Sequence, residues 1–447
     1  MFLAAPCAGR AWRQVVLADA DSGYGVVCHV PMPHLDVSDE PFSPGGDLPL
    51  IRVAYRRHGD AAVAAERCIA DLGAMLPAFL LVFCGGKLDG EVVLAALQAA
   101  YGAVPVVGGA AAGAISRNAF GYSGLELLVV AFGAGAPVPA VVSAELQPDE
   151  HQGGLVLGER IRAVAAEDAS VLLLFDSVAS RAPLRLHPAS LIVRGLHEGL
   201  GGHRIQLVGG GLLTDMNLTD AWVFDGGAVR KHIALALVFP PEVTMETAIL
   251  HGCRPVSTFM EITRIDGAEV YELDGQPALG VIERMLGLSL GAARGQELSL
   301  MATLGQKQGD PFGPYDENDY VNRLILRANP ETGSVTLFEP DFARGARVQI
   351  MGRDNMLMLD SVEQGMAALR ASLAAPEALL GFYIDCAGRG SARSGAPVEE
   401  AEMVLRGLPP GVPFGGFYSG VEVAPFGEYS RPLDWTGVLV VLRRRAA

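Results

Sequence analysis

Short apolar runs that end in polar or glycine-rich turns recur along the chain, each followed by a segment with helical spacing. In the clearest case, residues 379–384 form an apolar run short enough for a buried strand. It ends at Asp385-Cys386-Ala387-Gly388-Arg389-Gly390. Val398, Ala401, Val404 and Leu405 then recur at three- and four-residue steps and predict a helix, which Pro409-Pro410 stops. A second extended run carries Gly415-Gly416-Phe417-Tyr418 to Gly420-Val421-Glu422, and a strand at 437–442 closes the unit. The same order appears at strand 79–83, turn 84–90, helix 91–101, strand 104–107 running into Gly108-Gly109, and returning strand 126–132. It appears again at strand 171–175, Asp176-Ser177, helix 189–199, strand 205–208 running into Gly209-Gly210-Gly211, and returning strands 220–224 and 232–239. The irregular spacing of these units excludes a solenoid, and the pattern alone leaves internal duplication open.

A helix at 61–75 precedes the first unit, and residues 1–48 hold two short strands (13–17 and 25–30) and a Pro/Gly-rich loop. Between the second and third units the texture changes. Strands at 257–265 and 268–273 flank Asp266-Gly267, a dipeptide suited to the φ > 0 turn of a hairpin. An apolar helix at 278–286 follows, then strands at 298–305, 322–328, 334–339 and 347–351 and a helix at 361–374. The prediction is an α/β protein with mixed α+β layers: two α/β domains of repeated strand–turn–helix–strand units with added antiparallel hairpins. The expected boundaries are an extension at 1–48 and domains at 49–245 and 246–447.

Composition narrows the function. A net charge of −16 argues against nucleic acid, whose binders cluster Lys and Arg to displace phosphate counterions. Half the residues are apolar, yet the longest span candidate, 125–143, is broken by Gly and Pro and holds Glu126. No membrane insertion is expected. The first residues lack the charged n-region and full h-region of a signal peptide, so a cytoplasmic location is expected. Six scattered cysteines without a C-x-x-C pair fit a reducing compartment and give no zinc spacing.

Candidate chemistry gathers where the third unit's strands end. Arg389 presents a fork that can hold a carboxylate with two charge-assisted hydrogen bonds. It can equally form an internal ion pair with Glu399, Glu400 or Glu422. Cys386 has a cation nearby, which lowers a thiol pKa, but no histidine close in sequence to act as a base, so an inert buried thiol is the competing reading. Gly108, Gly109, Gly209 and Gly210 could offer backbone N–H groups to an anion, or could simply permit close backbone approach. Neither run matches a nucleotide fingerprint. The nine histidines, among them His187, His197 and His251, form no metal or haem motif. Residues 215–220 have alternating oxygen ligands but lack the glycine and terminal Glu of a calcium loop. Residues 310–319 read as an exposed acidic loop.

Several of these segments resemble the FIST family, sensory proteins with an N-terminal and a C-terminal FIST domain. The N-domain resemblance, over 50–243, rests on LLVFCGGKLDG, PVVGGAAAGAI, LVGGG and ALALVF. The C-domain resemblance, over 248–442, rests on His251-Gly252-Cys253-Arg254-Pro255, EVYELDGQPAL, Cys386-Ala387-Gly388-Arg389-Gly390, Glu399-Glu400 and GFYSGVE. Two departures stand out: Val421 where glycine is typical, and Leu433-Asp434-Trp435-Thr436 where the family has a histidine. The resemblance implies a bacterial signal-transduction protein that is not an enzyme. It implies binding of an amino acid or similar small carboxylate, and signalling through a separate kinase, cyclase or chemoreceptor. On this reading Arg389 clamps the carboxylate, Glu422 or Glu399 takes an amino group, Cys386 lies beside the ligand, and the paired glycines line the wall. A homodimer is compatible with the sequence. Two alternatives remain: a haem-binding nitric-oxide sensor acting on a histidine kinase, with His251 as ligand, and a Cys386-dependent enzyme. No cofactor is expected otherwise.

Overall fold

The computed structural model describes residues 12–17, 26–31, 50–287, 302–372, 378–427 and 429–445. The segment Met1–Asp47 is a compact body of its own, whose described residues form an antiparallel hairpin in which Trp12–Leu17 pairs with Val26–Pro31. The loop expected at the end of this segment lies outside the described residues. The main body, Leu48–Ala447, holds everything else.

Within it, three α/β units share one plan. A central strand pairs in parallel with a glycine-bearing strand and antiparallel with a returning strand: Pro77–Gly85 with Val106–Ala111 and Glu126–Gly133; Ala169–Asp176 with Ile205–Leu212 and Ile233–Val238; Ala378–Cys386 with Phe414–Ser419 and Gly437–Arg444. Each returning strand also pairs with the strand that opens its unit, Ile51–Arg57, Ala140–Glu145 or Val243–Leu250. The central strands are buried along nearly their whole length, which is why they read as continuous apolar runs rather than alternating ones. Two helices cover the outer face of each sheet among the described residues, and three of those in the first two sheets start at aspartate caps. Asp60, Asp89 and Asp149 accept hydrogen bonds from the first turns of Ala61–Leu72, Gly90–Tyr101 and Glu150–Val164.

Each glycine strand borrows its outer neighbour from another unit, in a closed cycle. Val106–Ala111 pairs with Val223–Gly226 of the second unit. Ile205–Leu212 pairs with Glu422–Phe426 of the third. Phe414–Ser419 pairs with Ala114–Ser116 of the first. The three sheets therefore close on one another around a shared apolar core. Phe83 of the first stacks on Phe417 of the third at 4.3 Å, and Leu172 and Leu235 of the second belong to the same cluster.

Residues 253–353 are inserted between the opening strand and first helix of the third unit, and their described residues form an eight-stranded antiparallel sheet. The Asp266-Gly267 hairpin forms as expected, between Met260–Asp266 and Glu269–Leu273. Glu339 of this insert accepts hydrogen bonds from Ala189 N (3.0 Å) and Ser190 N (2.8 Å), capping the helix Ala189–Leu200. Among the described residues no helix is long and apolar enough to cross a membrane.

Candidate functional site

The parallel strands Ala378–Cys386 and Phe414–Ser419 end side by side, and the carboxyl end of such a pair is where open α/β sheets leave a crevice. A cavity of about 750 Å³ opens there. Its floor is Cys386, Ala387, Gly388, Ser419 and Gly420, with Trp435 beside them. A second wall comes from the inserted sheet through Leu324, Leu326, Arg327, Thr336, Leu337 and Phe338. The third comes from the second unit through Leu184, Arg185, Leu186, Pro188, Leu213 and Met216. Gly388 is required by close packing, because a Cβ there would stand 2.5 Å from the Trp435 ring.

The charges around this cavity are one-sided. Arg185, Arg327 and Arg393 line it, and among the described residues no Asp, Glu, Lys or His does. None of the three arginines forms an ion pair with a described residue. Their neighbours on the wall are largely apolar, Leu the commonest among them, so the cavity offers cationic forks against an apolar surface.

Arg389 takes no part in this lining. It is fully buried, and its fork closes on Glu400, with Nε 3.1 Å from Oε1 and Nη2 2.8 Å from Oε2. Its remaining donors go to the carbonyls of His251 (2.6 Å) and Trp435 (3.1 Å). The ligand clamp expected of Arg389 gives way to the internal ion pair. The helix Glu400–Gly407 supplies a carboxylate before any ligand can, and burying this guanidinium unpaired would cost several kcal/mol. Tyr383 also donates to Glu400. The nearby Asp385 carboxylate accepts no hydrogen bond from the described residues, and its pKa is held well above the ordinary range by burial and by the Glu400 charge.

The other expected site residues divide. Cys386 lines the cavity. Burial, with the Glu422 and Asp385 charges, raises its thiol pKa well above the usual value, so the nucleophilic thiolate is disfavoured. Glu422 sits behind the floor, accepting from Ser419 Oγ and from Thr436 N at 3.2 Å. Glu399 accepts from Tyr418 Oη (2.7 Å), Tyr122 Oη (3.2 Å) and Ser391 N (3.0 Å). Both carboxylates are engaged away from the cavity lining, which leaves neither to meet a ligand's amino group. Gly108, Gly109, Gly209 and Gly210 lie inside strand ladders rather than on the cavity wall. A Cβ on Gly108 would meet the Val82 carbonyl oxygen at 2.0 Å, and one on Gly209 that of Leu173 at 2.1 Å. Close strand approach, not anion binding, explains these glycines. His251 is buried away from this cavity, with Nδ1 3.0 Å from Thr436 Oγ1 and Nε2 without a partner, so it offers no face to a haem there. Arg185, Arg327 and Arg393 escaped the sequence reading because they belong to no motif in a chain whose cations are mostly arginine.

Comparison with known proteins assigns most of this chain. The FIST N domain matches residues 78–276 and the FIST C domain residues 278–425. The chain belongs to the FIST family. FIST domains are sensory modules of signal transduction. In this FIST protein the cavity wall at 184–218 lies in the N-domain match, while Arg327, Cys386, Arg393 and Ser419 lie in the C-domain match. An uncharacterized protein of Mycobacterium tuberculosis is 27% identical over 240 residues, 53% of this chain and 60% of that protein. An uncharacterized protein of Mycobacterium bovis is 30% identical over 186 residues, 40% of this chain and 45% of that protein. The FIST chain thus spans about half the length of the curated relatives it matches. A chorismatase crystal structure aligns over 89% of this chain and 99% of its own at 10% identity, with a TM-score of 0.33, too low to bear on fold or function.

Proposed function

We propose that this FIST protein senses a small organic acid with an apolar body, bound in the cavity beside Cys386, and passes the signal to a separate kinase, cyclase or chemoreceptor. The observation that carries the reading is the lining: among the described residues it has three arginines without ionic partners and no acidic side chain, and its walls are otherwise largely apolar. A carboxylate would meet Arg393, Arg327 or Arg185 through charge-assisted bonds, each worth about 1.5–3 kcal/mol. Its apolar body would pack on Phe338, Leu326 and Trp435. The volume falls in the range of small-ligand pockets, roughly 300–1,000 Å³. An amino acid fits this chemistry less well than a plain acid, because no carboxylate lines the cavity to receive an ammonium group. The walls come from the second unit, the third unit and the insert, so an occupant draws three elements together. Such a ligand can bias a conformational equilibrium by its differential affinity for the closed arrangement.

Thermal unfolding against paired aromatic and aliphatic acids and their amides tests this directly. Acids are expected to raise the midpoint where the matching amides do not; at 100 times Kd the stabilisation is about 2.7 kcal/mol. The double variant Arg327→Gln/Arg393→Gln is expected to lose the effect. Equal shifts from acid and amide, or full retention in the double variant, would overturn the proposal.

A further inference from the structure

The central strand of the second unit ends at Asp176, in the place Asp385 holds in the third, but its surroundings are different. His187 arrives from the hairpin strand Leu184–Leu186, just before the helix Ala189–Leu200. His232 precedes the returning strand Ile233–Val238 and holds a left-handed φ of 57°, unusual for a residue other than glycine. His187 Nε2 and His232 Nδ1 face each other at 3.1 Å. Asp176 Oδ2 lies 3.9 Å from His232 Nδ1, and one donor atom from each of the three residues falls within 4.8 Å of the others.

The hydrogen bonds around these atoms set their chemical state. Glu150 Oε1 is 2.9 Å from His187 Nδ1, and an ionised carboxylate only accepts, so Nδ1 carries the proton and Nε2 is left with a lone pair. This is the carboxylate–histidine arrangement that orients an imidazole towards a metal and raises its basicity. Asp176 is fixed as well. Its Oδ1 accepts from Val178 N at 2.8 Å and its Oδ2 from His232 N at 2.7 Å, which leaves Oδ2 a free lone pair. His232 is the adjustable member. With Nδ1–H it donates to His187 Nε2; with the proton moved to its own Nε2, Nδ1 becomes a second imidazole donor and no proton leaves the protein.

We propose that His187, His232 and Asp176 form a site for a divalent first-row transition ion such as zinc, with Glu150 as the positioning residue behind His187. Two neutral imidazoles and one carboxylate suit such an ion, and tetrahedral ligands at zinc distances stand about 3.4 Å apart, so closing a set now held within 4.8 Å takes side-chain movements on the order of an ångström. His187 is buried and His232 about one-third exposed, which leaves a side of the ion open to water or an exogenous donor. Leu186 and Pro188, the neighbours of His187, both line the large cavity. The metal would therefore anchor one wall of that cavity, but the site stands on its own geometry, independent of the organic-acid reading.

The full chain, stripped with EDTA and titrated with Co²⁺, provides the test. One equivalent is expected to bind, with visible d–d absorption that one equivalent of Zn²⁺ abolishes. His232→Ala, a change at a partly exposed position, is expected to remove the band, whereas His58→Ala on the surface is not. Glu150→Gln is expected to weaken binding by about 10–100-fold while leaving the stoichiometry intact. Absence of stoichiometric cobalt binding by the wild-type chain, or an unchanged band in a folded His232→Ala variant, overturns the proposal. A metal-dependent rise in the thermal midpoint without added acid separates this outcome from that of the cavity.

Discussion

His251 shows how one buried side chain governs behaviour in acid. Its imidazole is sealed, with one partner at Nδ1 and none at Nε2, and burial lowers its pKa to about 4. The Glu317 carboxylate opposes this shift and Arg389 adds to it. The unfolded chain titrates near 6.5, so between pH 6.5 and 4 it holds a proton that the folded chain refuses. Stability from this residue is therefore complete above pH 6.5, falls by about 3 kcal/mol as the pH drops to 4, and changes no further below that. Urea unfolding of the wild type and His251→Gln at intervals from pH 7 to 4 checks this; parallel pH profiles would contradict it. Arg389 marks how far the sequence could be read at this scale. Its glycine-flanked motif lies at the strand end that borders the cavity. Linear order cannot distinguish a guanidinium facing Glu400 from one facing a ligand, and it is Arg393, one helical turn further on, that reaches the cavity.

The elements were legible where burial is apolar and obscure where it is not. The helix Gly90–Tyr101 and all three central strands follow from runs of Val, Leu and Phe. The helix Glu150–Val164, which carries Glu150, does not. Its buried face includes Gly153, Gly154 and Gly158 beside Leu157 and Ile161, so periodicity in apolar side chains nearly vanishes. These glycines exist for its partner. A Cβ on Gly154 would stand 2.1 Å from the Ile192 carbonyl oxygen, and one on Gly195, across the interface, 2.0 Å from that of His151. The two helices touch backbone to backbone. Alanine is normally the better helix former by about 1 kcal/mol. Here the clash involves main chain that cannot rotate away, and Gly195→Ala is expected to lower stability by about 1–2 kcal/mol net. A lower urea midpoint with an unchanged slope would confirm this; a raised midpoint would mean that the helices can separate without loss.

At the scale of the whole molecule, the three units complete one another. The shared core draws Phe83 and Val130 from the first, Leu174 and Leu235 from the second, and Phe382, Phe417 and Val440 from the third. Residues 48–242 expressed alone would leave Ala114–Ser116 without Phe414–Ser419, Ile205–Leu212 without Glu422–Phe426, and one side of that core open. Such a fragment is expected to unfold without a cooperative transition and to bind a hydrophobic dye; a sharp, dye-free transition would show that two units suffice. The sequence displayed the repeated units but not the cycle between them. The partner strands are short, and their pairing is a property of backbone edges rather than of side-chain pattern. The cycle also has a consequence in time. Ala114–Ser116 and Phe414–Ser419 are separated by about 300 residues, so a ribosome adding roughly 5–20 residues per second exposes the first edge some 15–60 s before its mate is made. Throughout that interval the nascent first third offers an unpaired strand edge and a bare apolar face to whatever is near, and a chaperone that shields them would decide how much of the protein is recovered.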